Sequence, residues 1–209
     1  MYIPLFFTVA LFIHAKHAGK KLLGMIFKVL STGIILITAL YGMVISPEEL
    51  LLYSLFICIG IAFGLIGDVV IRYNLAWAMV LFGFGHFSYM AAALNVSKHV
   101  IFSILFFILF YLAFFVFFRK SYLSLERRLF IQAGIYAAVI LAMLSLTATV
   151  PFILPVKGLI LFMGAVFFVI SDAKIILNII KKRSNPDIFG LIYYFFGQSL
   201  FALSIYMYN

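Results

Sequence analysis

Short polar gaps divide this chain into long apolar runs, and the spacing of those gaps is its clearest pattern. A helix needs about twenty apolar residues to cross the hydrocarbon core of a bilayer. On that measure the pattern predicts eight spans, at 2–16, 23–43, 49–72, 75–95, 99–118, 129–149, 154–180 and 188–208. The gaps carry helix-ending chemistry: Ser46-Pro47-Glu48-Glu49, Arg72-Tyr73-Asn74, Asn95 to His99, Arg119 to Arg128, Pro151 with Pro155, and Lys181 to Asp187. All five prolines (Pro4, Pro47, Pro151, Pro155, Pro186) fall at or near span ends, so no span is predicted to be broken in its middle. The expected fold is all-α: a polytopic membrane helix bundle of about eight transmembrane helices, one integral membrane domain over residues 1–209, built as two four-helix halves.

Composition agrees with this expectation. The chain is 67% hydrophobic and 10% charged, whereas a soluble domain of this size needs a polar exterior. The formal charge of +9 sits in short loops beside apolar runs, where it meets anionic lipid, and this distribution argues against nucleic acid as a partner. Cys58 is the sole cysteine and lies in an apolar run, which excludes a disulfide framework and a cysteine metal site.

Loop charge also sets an orientation. Gaps after spans 1, 3, 5 and 7 hold Lys16, Lys20, Lys21, Arg72, Arg119, Lys120, Arg127, Arg128, Lys181, Lys182 and Arg183; those after spans 2, 4 and 6 hold only Lys98 and Lys157. Basic loops stay in the cytoplasm, so both termini are expected outside. In the first segment, Tyr2 to Ala15, the charges follow the apolar run rather than precede it, so a retained span is expected instead of a cleaved signal. Short loops and the lack of processing signals point to a bacterial plasma membrane.

Against this background two acidic residues stand out. Glu48, Glu49, Glu126 and Asp187 lie in gaps, but Asp68 and Asp172 lie inside apolar spans. An ionisable group at membrane depth costs roughly 2.5–3.5 kcal/mol on insertion scales and usually has a task. The charge-derived orientation places both in the cytoplasmic half, at a depth similar to that of Lys28, His86, Tyr193, Tyr194 and Gln198. The halves also echo each other: Gly67-Asp68 resembles Ser171-Asp172, and Phe84-Gly85-His86 resembles Phe196-Gly197-Gln198. Four spans per half preserve orientation and build a site where the halves meet.

Two carboxyl groups in a cleft of low dielectric suit acid/base hydrolysis, one kept protonated as acid and the other kept ionised by a cation as base. Lys28 and Arg72 are the candidate cations. Arg72 follows Asp68 by four residues, which on a continuous helix is one face. A structural reading stands beside this one, in which Asp68–Arg72 and Asp172–Lys28 are ion pairs that lock helices. His86, in an aromatic-rich span, is either a site residue or a histidine bonded to a neighbouring helix. Metal chemistry has thin support, because no histidine-rich cluster or zinc-ligand spacing is present, and no nucleophile elbow is found.

The ordered set G-L-I-G-D-V-V-I at 64–71, F-G-F-G-H-F-S-Y at 82–89, V-I-S-D-A at 169–173 and Y-Y-F-F-G-Q-S-L at 193–200, with Lys28 early in span 2, resembles the YhhN-type lysoplasmalogenase family over nearly the whole chain. In that family the lysine is often followed by proline, where Val29 stands here. The resemblance implies an integral membrane hydrolase without cofactor or metal. Its substrate would be a lysophospholipid with a vinyl ether bond (a lysoplasmalogen), drawn from the surrounding membrane lipids and hydrolysed to a fatty aldehyde and a glycerophospho-alcohol. It maps the catalytic pair onto Asp68 and Asp172, with Lys28, Arg72, His86, Tyr89, Ser171, Tyr194 and Gln198 as substrate-binding residues. The runner-up is a proton-coupled carrier using the same aspartates as a relay. A third reading, a non-catalytic structural or lipid-binding protein, requires Asp68→Asn to be harmless.

Overall fold

The computed structural model describes residues 3–123, 125–180 and 188–207; the basic gap at 181–187 lies outside them. The described residues form eight α-helices: α1 (Ile3–His17), α2 (Lys21–Val44), α3 (Leu51–Val70), α4 (Leu75–Val96), α5 (Val100–Leu123), α6 (Arg127–Thr147), α7 (Pro155–Ile180) and α8 (Ile188–Ser204). Single 3-10 turns precede α3 and α7. The helices α2 to α7 are each long and apolar enough to cross a bilayer, while α1 and α8 are apolar but shorter. The protein is an all-helical, polytopic bundle of the kind integral membrane proteins use.

Local chemistry explains the boundaries. Gly19, at φ 68°, adopts the left-handed conformation that turns the chain between α1 and α2. Asn74 caps α4, its side-chain oxygen accepting from the Trp77 N–H at 3.1 Å. α5 runs to Leu123 rather than stopping near 118, because Arg119 and Lys120 are good helix formers and leaving the apolar region does not itself end a helix. Lys157, grouped by sequence with the polar gap, is buried in the first turn of α7, its Nζ 4.7 Å from the centre of the Tyr53 ring.

The two halves pack alike. α3 packs on α4 as α7 packs on α8, and α4 meets α6 as α8 meets α2. Matched contacts recur at a constant offset, 104 residues for α2 and α3 against α6 and α7, and 112 for α4 against α8. Phe63 lies against Phe84 with ring centres 5.5 Å apart, and so does Phe167 against Phe196. A Cβ at Gly85 would meet the Gly60 carbonyl at 3.1 Å, and one at Gly197 the Gly164 carbonyl at 2.9 Å. Partners that correspond to each other also touch: Tyr89 stacks on Phe201 with centres 3.9 Å apart, Phe82 meets Tyr194, and Tyr53 meets Lys157. These three pairs mark a pseudo-twofold axis along the bundle, the parallel-repeat arrangement expected from the sequence.

Glycine at 197 is therefore a packing requirement, since its neighbours are α7 backbone atoms, whereas a Cβ at Gly83 would meet nothing within 4 Å. Gly197→Ala is expected to lower stability by about 1–3 kcal/mol, and Gly83→Ala to leave it equal or raise it by up to ~1 kcal/mol. Thermal unfolding in detergent separates the two; an unchanged Gly197→Ala would contradict the close packing of α7 on α8.

Candidate active site

Asp68 sits on α3 at the end of the bundle where α2, α4, α6 and α8 begin, and it is almost fully buried. α2 supplies two partners one turn apart, hence on one face. The Lys28 ammonium lies 2.7 Å from Asp68 Oδ1, and the Thr32 hydroxyl donates to Oδ2 at 2.6 Å. From α8 the Tyr194 hydroxyl donates to the same Oδ2 at 2.8 Å, while its ring lies under the Lys28 ammonium, 4.9 Å away. Gln198, one turn further along α8, donates to the Tyr194 oxygen at 3.5 Å and accepts from the Tyr89 hydroxyl of α4 at 2.8 Å. Asp68 thus faces one counterion and two hydroxyl donors. Desolvation of such a pair is costly, and close contact with good hydrogen bonding offsets it.

Asp172, on α7, has a different setting. The Tyr136 hydroxyl of α6 donates to its Oδ2, and His86 Nε2 of α4 lies 2.9 Å from the same Tyr136 oxygen and 3.8 Å from the carboxylate. These three groups form a relay: Tyr136 can receive a proton from His86 and give one to Asp172, or pass it the other way, by rotating one hydroxyl. His86 is fully buried, its ring edge-on to Phe168 with centres 4.9 Å apart, and its Nδ1 has no hydrogen-bond partner among the described residues.

The two settings are versions of one arrangement. Thr32 reaches Asp68 and Tyr136 reaches Asp172, each across 36 residues. The half-to-half offset places Gln132 where the first half has Lys28, so the lysine of this position is present in the first half alone. Phe168 separates the networks, touching His86 on one side and Tyr194, at 5.4 Å between centres, on the other. No hydrogen bond among the described residues joins the two carboxylates.

Of the residues singled out by sequence, Lys28, Asp68, Tyr89, Tyr194 and Gln198 therefore share one network, and His86 and Asp172 the other. Arg72 does not pair with Asp68. α3 ends at Val70 and residues 71–73 form a turn, so Arg72 leaves the helical face and is exposed. Ser171 is buried against α8, its carbonyl facing Gly190, and takes part in neither network; consecutive helical residues point about 100° apart. Tyr193 stacks on Phe167. Sequence reasoning missed Thr32 and Tyr136, although the repeat points to both, each 36 residues before an intramembrane aspartate. Among the described residues no three His, Cys, Asp or Glu side chains converge as metal ligands.

The sequence profile of the YhhN family matches residues 23–205, nearly the whole chain. Neither a curated protein nor a solved structure matches it.

The Lys28–Asp68 pair is open to a double-mutant test. Lys28→Met alone leaves a buried carboxylate without its cation and is expected to cost ~3–5 kcal/mol. The double variant Lys28→Met/Asp68→Asn is expected to recover much of that loss in detergent unfolding. Additive losses would contradict direct coupling of the two groups.

Proposed function

The chain belongs to the YhhN family, whose members are associated with hydrolase activity, and from that premise we propose that it is a lysoplasmalogenase. The reaction is R–CH=CH–O–R′ plus water giving R–CH2–CHO plus HO–R′, where R′ is the glycerophospho-alcohol. A carboxyl group delivers its proton to the outer vinyl carbon, forming a C–H bond with the π electrons. The inner carbon becomes an oxocarbenium ion. Water adds to it and loses a proton to the carboxylate left behind, and the hemiacetal collapses to aldehyde and free hydroxyl. The intermediate is of the kind formed in glycoside hydrolysis, where two carboxyl groups divide the same tasks.

The observation that carries this reading is the unequal pair of carboxylates either side of Phe168. Asp68, held against Lys28 and two hydroxyl donors, is the carboxyl group set to balance charge near a cationic intermediate. Asp172, on the Tyr136–His86 relay, can exchange a proton. Arg72, exposed beyond α3, is in this reading the residue that meets the phosphodiester headgroup, since Lys28 faces Asp68. A carrier would call for helices broken in matching spans, yet α3 and α7 run unbroken through Asp68 and Asp172. By the charge of the loops the site lies in the cytoplasmic half of the membrane, with both termini outside.

Purified protein is expected to release fatty aldehyde from alkenyl-lysophosphoethanolamine or alkenyl-lysophosphocholine. Asp68→Asn and Asp172→Asn should each lower kcat by ~10²–10⁴-fold, with a smaller loss for Tyr136→Phe. Inverted vesicles should hydrolyse added substrate faster than right-side-out vesicles. Aldehyde release that survives in both folded Asn variants would refute the catalytic roles, and faster hydrolysis by right-side-out vesicles would refute the orientation.

A further inference from the structure

A narrow groove of about 80 Å³ runs between α5, α6 and α7. Phe114 and Phe118 of α5 face Ala137 and Ile140 of α6 and Val169 of α7 across it, and among the described residues its polar lining is Asp172 and Tyr136. Its lining on α6 runs from Ala133 to Leu141, about 12 Å along a helix at 1.5 Å per residue. That is under half of the ~30 Å hydrocarbon thickness.

The first half is packed by other side chains at the corresponding place, although its backbone pattern is the same. There the Leu65 side chain comes within 3.8 Å of a Cβ built at Gly33, and Phe12 of α1 lies 3.8 Å from one built at Gly24. A Ser31–Thr8 hydrogen bond of 2.9 Å also ties α1 to α2. At the positions corresponding to Gly33 and Leu65 the second half has Ala137 and Val169, both in the groove wall. The side chain of Asp172 accordingly keeps 13% of its surface exposed, while that of Asp68 keeps none.

Resting on the hydrolytic reading, we propose that this groove holds the hydrocarbon chain of the substrate and presents the vinyl ether to Asp172. A wall of aromatic and aliphatic side chains with one hydroxyl–carboxyl pair fits an uncharged ether at the head of an alkyl chain. Asp172 is then the residue whose proton goes to carbon, and Asp68, which does not line the groove, acts with Lys28 as an oriented ion pair from the far side of Phe168. The wall that Ile140, Val169 and Phe114 line limits how far the chain can enter.

Ile140→Trp and Val169→Phe narrow that wall from two different helices. Each is expected to lower the ratio of kcat/KM for a long-chain over a short-chain alkenyl-lysophosphoethanolamine by about tenfold, the scale of a misfit of one or two methylenes. Ile140→Ala is expected to raise that ratio. A lysolipid with a photoreactive group at its chain end should label α5, α6 or α7 in the native protein, competed by the unlabelled lysolipid. If native protein hydrolyses the substrates but the folded variants slow every chain length equally, the groove proposal fails and the hydrolytic reading stands. If native protein hydrolyses none, the hydrolytic reading fails and labelling decides: label away from α5, α6 and α7 overturns the chain site as well.

Discussion

A carboxylate at membrane depth needs a partner, and the Lys28–Asp68 pair is the contact around which one end of this bundle is assembled. Its 2.7 Å approach requires the start of α2 to lie beside the end of α3. The Thr32 and Tyr194 hydroxyls that complete the shell of Asp68 fix α8 against both. Tyr194 then passes the constraint to Gln198, and Gln198 to Tyr89 on α4. Four helices are thus tied by one charge, in surroundings where an unsatisfied polar group costs several kcal/mol. Nearby apolar packing, including the three pairs along the pseudo-twofold axis, is compatible with this knot but would not by itself specify it.

The pseudo-symmetry gives the knot its meaning. A duplicated backbone would ordinarily supply two equal carboxylate sites. Here a few side chains make them unequal: lysine against glutamine at 28 and 132, threonine against tyrosine at 32 and 136, glycine against alanine at 33 and 137, leucine against valine at 65 and 169. One site is closed and charge-balanced. The other meets a hydroxyl and an imidazole and opens on an apolar groove. Acid/base chemistry needs two groups whose surroundings differ, and divergence between the halves supplies that difference without disturbing the shared packing.

Much of this was legible in the sequence. Eight apolar runs became eight helices because in lipid the helix satisfies its own backbone, so hydropathy is close to a sufficient signal. The depth argument likewise found Lys28, Asp68, His86, Asp172 and Gln198, since polar residues in apolar runs are few. Arg72 misled because spacing by four implies a shared face only while the helix continues, and α3 stops at Val70. Lys157 looked like a loop charge because its ring partner, Tyr53, lies on another helix. Thr32 and Tyr136 carry hydroxyls common in membrane helices. What distinguishes them is a contact across 36 residues, visible only once the repeat is aligned in space.

The central claim is proton delivery to a vinyl carbon with cleavage on the alkenyl side of the ether oxygen. Mass spectrometry of the products formed in heavy water enriched in oxygen-18 tests it most directly. The account predicts one deuterium on the carbon next to the aldehyde and no oxygen-18 in the newly freed hydroxyl of the glycerophospho-alcohol. Oxygen-18 in that hydroxyl, or an aldehyde without deuterium at that carbon, would contradict it.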